Sequence, residues 1–213
     1  GATPRPADAV ADWAGDASVR LVWVNSPSNP TGEVLDKAAL AHIVTAARRL
    51  GAVVASDECY AEVAWNEPYV SGGVPSLLDP DVCGGDHAGL LVAYSLSKQS
   101  NLAGYRAAFL AGDGAIVARL LEARRHMGMM VPAPVQAAMT LALGDEAHVA
   151  RQREVYASRR PTLVDAVRGA GFRVDHSDAG LYLWATRGED CWQTIVFLAQ
   201  RGIVAAPGAF YGE

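Results

Sequence analysis

The sequence has 213 residues, 51% of them hydrophobic, and a formal net charge of −5, values typical of a globular protein with a sizeable core. No basic run suggests a nucleic-acid surface, and no apolar run approaches the roughly 18 residues of a membrane span, so we expect neither partner. Cys59, Cys83 and Cys191 are an odd number at wide spacing, which predicts neither a disulfide framework nor a metal site. Because no export leader opens the sequence, we expect a cytoplasmic protein.

The first elements predict a strand-helix-strand unit. Residues 19–24 (V-R-L-V-W-V) read as a short apolar strand, and the turn formers of residues 25–32 follow as a shaped loop. Asp36 then caps a helix whose apolar residues recur at helical spacing until Gly51 ends it. Residues 52–55 form the next strand. This order implies a parallel sheet of an α/β fold, with helices on its faces.

Later elements predict the end of this sheet and then a smaller layer. Two more strands (89–94 and 107–111) complete the large-domain sheet, and three helices (113–126, 135–143 and 146–167) follow, the last kinked or split at Pro161. A small α+β layer comes last, with strands at 172–174, 181–185 and 203–205 around a helix at 191–201. We place the boundary near Gly144, giving domains 1–144 and 145–213.

Polar motifs follow three of the predicted strands. N-P-T-G occupies residues 29–32, S-D-E-C-Y residues 56–60, and S-L-S-K residues 95–98. Ligands of open α/β sheets bind beyond the carboxyl ends of the strands, so these motifs are expected to line one crevice. Together with Arg106 they supply an amide, a carboxylate, a phenol, hydroxyls, an amine and a guanidinium.

This set of groups matches the needs of pyridoxal phosphate. Its aldehyde bonds an amine, its pyridine nitrogen needs a carboxylate partner, and its phosphate needs hydroxyl, amide and guanidinium donors. The sequence holds two lysines, Lys37 and Lys98; Lys37 lies in the first turn of an amphipathic helix and is expected to be solvated. Lys98 follows a buried strand and a serine pair, so it is the candidate amine.

The ordered motifs resemble the class I/II aminotransferases of fold type I, the aspartate aminotransferase superfamily. The resemblance covers the whole chain, and residues 83–109 are further similar to actinobacterial N-succinyldiaminopimelate aminotransferases of lysine biosynthesis. The resemblance implies a pyridoxal-phosphate enzyme that moves an amino group between an amino acid, with glutamate as donor, and a 2-oxo acid or related carbonyl substrate. The narrower resemblance suggests N-succinyl-2-amino-6-oxopimelate as acceptor. It also implies a homodimer.

The resemblance assigns a role to each candidate residue. Lys98 bonds the cofactor and moves a proton, and Asp57 pairs with the pyridine nitrogen; these are the catalytic residues. Asn29 and Tyr60 donate to the ring oxygen, with a cis bond expected at Asn29–Pro30. The phosphate is held by Ser95, Ser97 and Arg106. A turn residue is the alternative role for Asn29, and a helix cap the alternative for Ser97.

Three other functions stay open from the sequence. A pyridoxal-phosphate β C–S lyase would use the same lysine on the same fold, and a non-catalytic cofactor-sensing domain or a structural remnant would need no reaction. The resemblance begins near the middle of the usual fold, and the family's substrate-carboxylate arginine would follow Glu213. We therefore expect a chain that is part of a larger enzyme and inactive alone, with an uncovered sheet edge and apolar face.

Overall fold

A computed structural model describes residues 10–212 as an α/β fold. The strands are β1 (Leu21–Asn25), β2 (Val53–Asp57), β3 (Leu90–Tyr94), β4 (Phe109–Gly112), β5 (Arg173–Asp175) and β6 (Trp184–Thr186). The α-helices are α1 (Val10–Trp13), α2 (Lys37–Leu50), α3 (Tyr69–Gly72), α4 (Pro80–Cys83), α5 (Leu96–Gln99), α6 (Gly114–His126), α7 (Ala133–Leu143), α8 (Glu146–Gly169) and α9 (Cys191–Ala199). Short 3-10 turns occupy Ala103–Tyr105 and Gly208–Phe210.

The main sheet has the order β1-β2-β3-β4 and is mostly parallel. Strands β1, β2 and β3 run parallel, as expected, whereas β4 runs antiparallel to β3. Gly112 permits this pairing, because a Cβ there would lie 2.1 Å from the Leu90 carbonyl oxygen. Strands β5 and β6 form a separate antiparallel pair. The α/β class with a mostly parallel sheet is therefore confirmed.

Helix α2 covers one face of the sheet because its apolar residues share one side. Leu40, Ile43 and Val44 are buried against Val54 and Leu90 of the strands. Each fully buried aliphatic side chain of this kind contributes roughly 1.5–3 kcal/mol. The Asp36 carboxylate caps the helix by accepting from Ala39 N at 2.8 Å, and Gly51 ends it in the left-handed conformation at φ 64°.

The edge strand β1 has a second apolar face that remains exposed. Leu21 and Trp23 keep 56% and 60% of their surface accessible, and Phe109 and Leu110 of β4 are also exposed. Leu21 and Trp23 are two residues apart and share one face of β1, so they form an exposed apolar patch of the kind expected from the sequence.

In the smaller layer, the expected strand at residues 203–205 and the expected split of the long helix at Pro161 are wrong. Residues 203–205 form no strand, because the Ile203 N–H instead donates to Leu198 O and closes the end of α9. Helix α8 continues through Pro161 without a break. The carbonyl that loses its donor belongs to Ala157, an exposed residue where solvent can replace the missing N–H. The domain boundary near Gly144 stays a prediction. Among residues 10–212, no helix is both long and apolar enough to cross a membrane.

Candidate active site

The carboxyl ends of β1, β2 and β3 lie level with one another and bring two of the motifs together. Asn25 is in register with Asp57, and Asp57 with Ala93. The Asn25 amide Nδ2 donates to Asp57 O at 3.1 Å, and its Oδ1 accepts from Asn29 N at 2.7 Å. Asn25 thus ties the N-P-T-G turn to the end of β2. The sequence reasoning missed this role, although a polar residue ending an apolar strand was the available signal.

The N-P-T-G turn presents Asn29 at the surface of the crevice. Asn29–Pro30 is a cis peptide bond, as expected, and Asn29 is exposed while Pro30 and Thr31 are buried. Gly32 has φ 75°, and a Cβ at this position would lie 2.5 Å from the Ala179 carbonyl oxygen. Glycine is therefore required by both the backbone conformation and the close approach of residue 179.

Tyr60 carries a phenol that is buried and without a hydrogen-bond partner in the described part of the chain. The residue is 3% exposed, and its Oη has no partner at hydrogen-bond geometry among the described residues, although the Tyr182 side chain lies close enough to influence it. Burial raises the pKa of the Tyr60 phenol above its usual value, and the neighbouring Tyr182 adds to the effect. A neutral hydroxyl in this setting retains a proton to donate, and leaving it unpaired costs free energy.

Asp57 lies three residues earlier, half-buried at the end of β2. Its Oδ1 accepts from Cys59 N at 3.1 Å, which orients the carboxylate by a short turn. Burial and the Asp57 charge raise the pKa of the Cys59 thiol to about 12, so this cysteine stays protonated and unreactive. The other carboxylate of the loop, Glu58, is buried and accepts from Leu77 N at 2.8 Å.

Lys98 lies on a one-turn helix, not in the loop expected from the sequence. Ser95 is the N-cap of this helix, α5, and accepts from Ser97 N, so the cap is Ser95 and not Ser97. The half-buried Lys98 Nζ lies 5.5 Å from the centroid of the Tyr60 ring. Lys37 is different: it is an exposed lysine paired with Asp79 at 2.9 Å and Asp81 at 2.7 Å.

The serine pair is satisfied within the protein. Ser95 Oγ and Ser97 Oγ lie 2.7 Å apart, and Ser95 Oγ also donates to Ala107 O at 3.1 Å. This second bond fixes the backbone next to Arg106, which has φ 51° and donates from Nη1 to Ala103 O at 2.9 Å. Arg106 is exposed and keeps its other guanidinium donors for an anion. Ser97 is better placed than Ser95 to offer a hydroxyl, since Ser95 is buried and fully engaged.

A segment distant in sequence, residues 176–182, packs against the N-P-T-G turn and against Trp65. Asp178 N and Ala179 N each donate to Gly32 O at 3.0 Å. Trp65 is held on two sides, with its N–H donating to Asp178 O at 2.8 Å and its indole Nε1 to Gly180 O at 2.6 Å. This docking places the Tyr182 ring edge-on to Tyr60, at 6.4 Å between centroids. Nothing in the local sequence predicted this contact.

Within residues 10–212, no group of three or more His, Cys, Asp or Glu side chains could hold a metal ion. The groups near the carboxyl ends of the parallel strands are an amine, a carboxylate, a phenol, an amide, hydroxyls and a guanidinium. This combination suits an organic cofactor with a carbonyl, a basic ring nitrogen and a phosphate.

Comparisons with known proteins agree with this geometry. The family model described as aminotransferase class I and II matches residues 7–213. The 4-dedimethylamino-4-oxo-anhydrotetracycline transaminase OxyQ of Streptomyces rimosus is 57% identical over 213 residues, which is 100% of this chain and 58% of that protein. The probable aminotransferase Rv1178 of Mycobacterium tuberculosis is 58% identical over 198 residues, covering 93% of this chain and 46% of the relative.

Solved structures give the same result. The N-succinyldiaminopimelate aminotransferase of Mycobacterium tuberculosis has a TM-score of 0.85 at 26% identity, covering 98% of this chain and 54% of that one. An aminotransferase of Neisseria meningitidis has a TM-score of 0.82 at 31% identity, covering 91% of this chain and 49% of that one. The chain thus spans about half the length of the relatives it matches. It belongs to the class I and II aminotransferase family.

Proposed function

We propose that the protein is a pyridoxal-phosphate-dependent aminotransferase, which transfers an amino group between an amino acid and a 2-oxo acid or related carbonyl compound. Class I and II aminotransferases and their structural neighbours depend on this cofactor. The observation that carries the proposal is the placement of the Lys98 amine 5.5 Å from the ring of Tyr60, whose buried phenol has no partner in the described residues.

The residues present fit the cofactor. Lys98 is the amine for the aldehyde, Asp57 the carboxylate for the pyridine nitrogen, and the unpaired Tyr60 phenol a donor for the ring oxygen. Asn29 adds a second donor, since its exposed side chain follows a backbone fixed by Asn25. Ser97 and Arg106 supply donors for the phosphate, and Ser95 supports them by capping α5 and holding Ala107 O. Each of these roles is part of the proposal.

The chain's own residues perform the proton chemistry. When bound, pyridoxal phosphate supplies an aldehyde that bonds amines and a protonated ring that withdraws electrons from the substrate carbon. Lys98 Nζ, when not bonded to the cofactor, would take the proton from the substrate Cα as general base and hold it for return. The Asp57 carboxylate keeps a proton on the ring nitrogen, and a fixed negative charge is effective there because half-burial limits its solvation.

Two compounds are candidates for the carbonyl substrate of the proposed enzyme. The sequence resemblance suggests N-succinyl-2-amino-6-oxopimelate with glutamate as donor. The 57% identity to a 4-dedimethylamino-4-oxo-anhydrotetracycline transaminase suggests a polycyclic ketone instead. A homodimer of the complete gene product is proposed with either substrate. A β C–S lyase remains the rival reaction, and an assay that measures keto acid against pyruvate plus thiol separates the two.

The decisive experiment locates the covalent bond to the cofactor. Borohydride reduction of the complete gene product with pyridoxal phosphate, followed by peptide mapping, should label Lys98 and leave Lys37 unlabelled. Lys98→Ala should abolish turnover, because no other described lysine lies in the crevice, whereas Lys37→Ala should retain it as the matched control. A label on Lys37, or on neither lysine, would contradict the assignment.

A further inference from the structure

A cavity of 170 Å³ lies next to the tyrosine pair of the candidate active site. Its wall combines aromatic rings, leucines and two adjacent arginines of α8, and it is lined by Trp65, Tyr156, Arg159, Arg160, Leu163, Gly180, Leu181, Tyr182 and Leu183. Ligand cavities for whole drug-sized molecules measure roughly 300–1,000 Å³. This cavity therefore has the size expected for one arm of a substrate.

The two arginines lack a carboxylate partner among the described residues. Arg160 donates from Nη2 to Ser177 O at 2.7 Å and to Ser177 Oγ at 2.6 Å, and its guanidinium lies 5.7 Å from the Trp65 ring centroid. Arg159 makes no hydrogen bond or ion pair within residues 10–212. Asp178 is the acidic neighbour of Arg160, but its Oδ1 accepts from Asn66 Nδ2 at 3.0 Å.

Burial makes this arrangement costly without an anion. Arg160 is half-buried, and desolvation lowers the pKa of its guanidinium, with Arg168 adding to the effect and Asp178 opposing it. An arginine placed over an aromatic ring, with further N–H donors unused, offers the forked geometry that binds carboxylates. The neutral acceptors of Ser177 position the group without adding a negative charge, so Asp178 compensates its charge only in part.

The cavity is connected to the reacting lysine through two rings. Tyr182 lines the cavity and contacts Tyr60 edge-on at 6.4 Å, and Tyr60 in turn lies against Lys98 Nζ. A subsite here requires that a substrate whose reacting carbon is at Lys98 extends past Tyr182 into the cavity. Leucines 163, 181 and 183 would contact the methylene groups of such an arm, and the arginines its end.

We propose that this cavity is a subsite for a second, remote carboxylate of the substrate, bound by Arg159 and Arg160. The substrate class is an acyclic compound with a flexible chain between the reacting amine or carbonyl and the remote acid group. The inference rests on the proposed aminotransferase function and, between its two candidate substrates, favours the acyclic acid over the polycyclic ketone.

The test is calorimetric binding of two probes of equal length to the cofactor-loaded complete gene product, without an amino donor and so without turnover. Pimelate carries a carboxylate at each end, and heptanoate carries one. A hydrogen-bonded charge pair predicts that pimelate binds about tenfold to a hundredfold more tightly. Arg159→Gln should remove much of this preference; this variant is expected to fold, because Arg159 holds no other described residue.

Two further variants sharpen the result. Arg160→Lys keeps the charge but loses the forked donors, and should also reduce the preference for pimelate. Arg153→Gln is the matched control, because Arg153 is an exposed arginine of the same helix outside the cavity wall, and it should leave the preference unchanged. Equal binding of the two probes, retention of the preference in both cavity variants, or an equal loss in the control would overturn the subsite. The binding measurement needs no turnover, so it can fail or succeed independently of the Lys98 labelling experiment. Equal binding of the two probes would contradict the subsite alone, and a missing label on Lys98 would contradict the proposed function alone.

Discussion

Replacing Tyr60 by Phe removes one hydroxyl from the centre of the candidate active site and keeps the ring. The hydroxyl is buried and has no hydrogen-bond partner in the described residues, so deleting it relieves a desolvation cost of about 1–3 kcal/mol. The ring contacts with Lys98 and Tyr182 survive the change. The cofactor-free protein should therefore become more stable by about 1 kcal/mol, the lower end of this range.

Cofactor binding should change in the opposite direction. A hydrogen bond from the phenol to a charged ring oxygen contributes roughly 1.5–3 kcal/mol, so Tyr60→Phe should weaken pyridoxal phosphate about tenfold to a hundredfold. Urea unfolding of the cofactor-free protein and equilibrium titration with cofactor measure the two effects separately. A gain in the free energy of unfolding together with a loss of cofactor affinity would identify a hydroxyl that binds the cofactor. A hydroxyl that only stabilises the fold would give a loss in the free energy of unfolding.

Tyr94→Phe is the matched control. The Tyr94 hydroxyl donates to Gln99 Oε1, and Gln99 is buried, so this deletion leaves an acceptor unpaired and should destabilise the cofactor-free protein by about 1 kcal/mol. If Tyr60→Phe also destabilised the cofactor-free protein, its hydroxyl would have a partner in the fold. If it left cofactor affinity unchanged, Tyr60 would not be a donor to the cofactor.

Three other substitutions test the surroundings of the site. Asp57→Ala should lower turnover by roughly 10²-fold or more while Lys98 still becomes labelled, as measured by steady-state kinetics and borohydride mapping. Burial raises the pKa of Glu58, so the folded protein binds this proton more tightly than the unfolded chain does. The contribution of Glu58 to the free energy of unfolding is therefore complete below the unfolded pKa and is lost as the pH rises through the folded pKa. Glu58→Gln should flatten that fall, which urea unfolding across pH can measure. Gly32→Ala should lower the free energy of unfolding by about 1–3 kcal/mol in the same assay, and clearly more than Gly84→Ala does. Both glycines have a positive φ, but only at Gly32 would the added Cβ clash with a neighbouring backbone.

The cofactor side of the site could be predicted because its determinants are local. Each of the three motifs follows its own strand, and parallel strands place their carboxyl ends at one edge of the sheet. The positions of Asn29, Asp57 and Lys98 near this edge could therefore be predicted without any knowledge of tertiary contacts, while their roles toward a cofactor stay a prediction. The helix α2 was equally clear, since a capping aspartate, an apolar face and a final glycine all agree.

The remaining features depend on contacts between distant residues. The direction of β4 is set by pairing with β3 and by the close approach at Gly112, neither of which leaves a periodic signal. The run at residues 203–205 has strand composition but no neighbouring strand, so its first N–H bonds to the end of α9. Tyr182 and Arg160 could not be assigned for the same reason: their roles follow from a docking event between segments more than one hundred residues apart.

That docking event links the cofactor to the proposed substrate cavity through one short segment. Residues 176–182 contact Gly32 in the turn that presents Asn29. They accept hydrogen bonds from the backbone N–H and the indole N–H of Trp65, and from Arg160 at Ser177. The same segment carries Tyr182, which forms part of the cavity wall and touches Tyr60. A change in the cavity that moves this segment must therefore also move the Asn29 turn. For this reason Arg159, which makes no hydrogen bond or ion pair in the described chain, is expected to report on substrate binding alone, whereas substitutions of Arg160 report on substrate binding and cofactor geometry together.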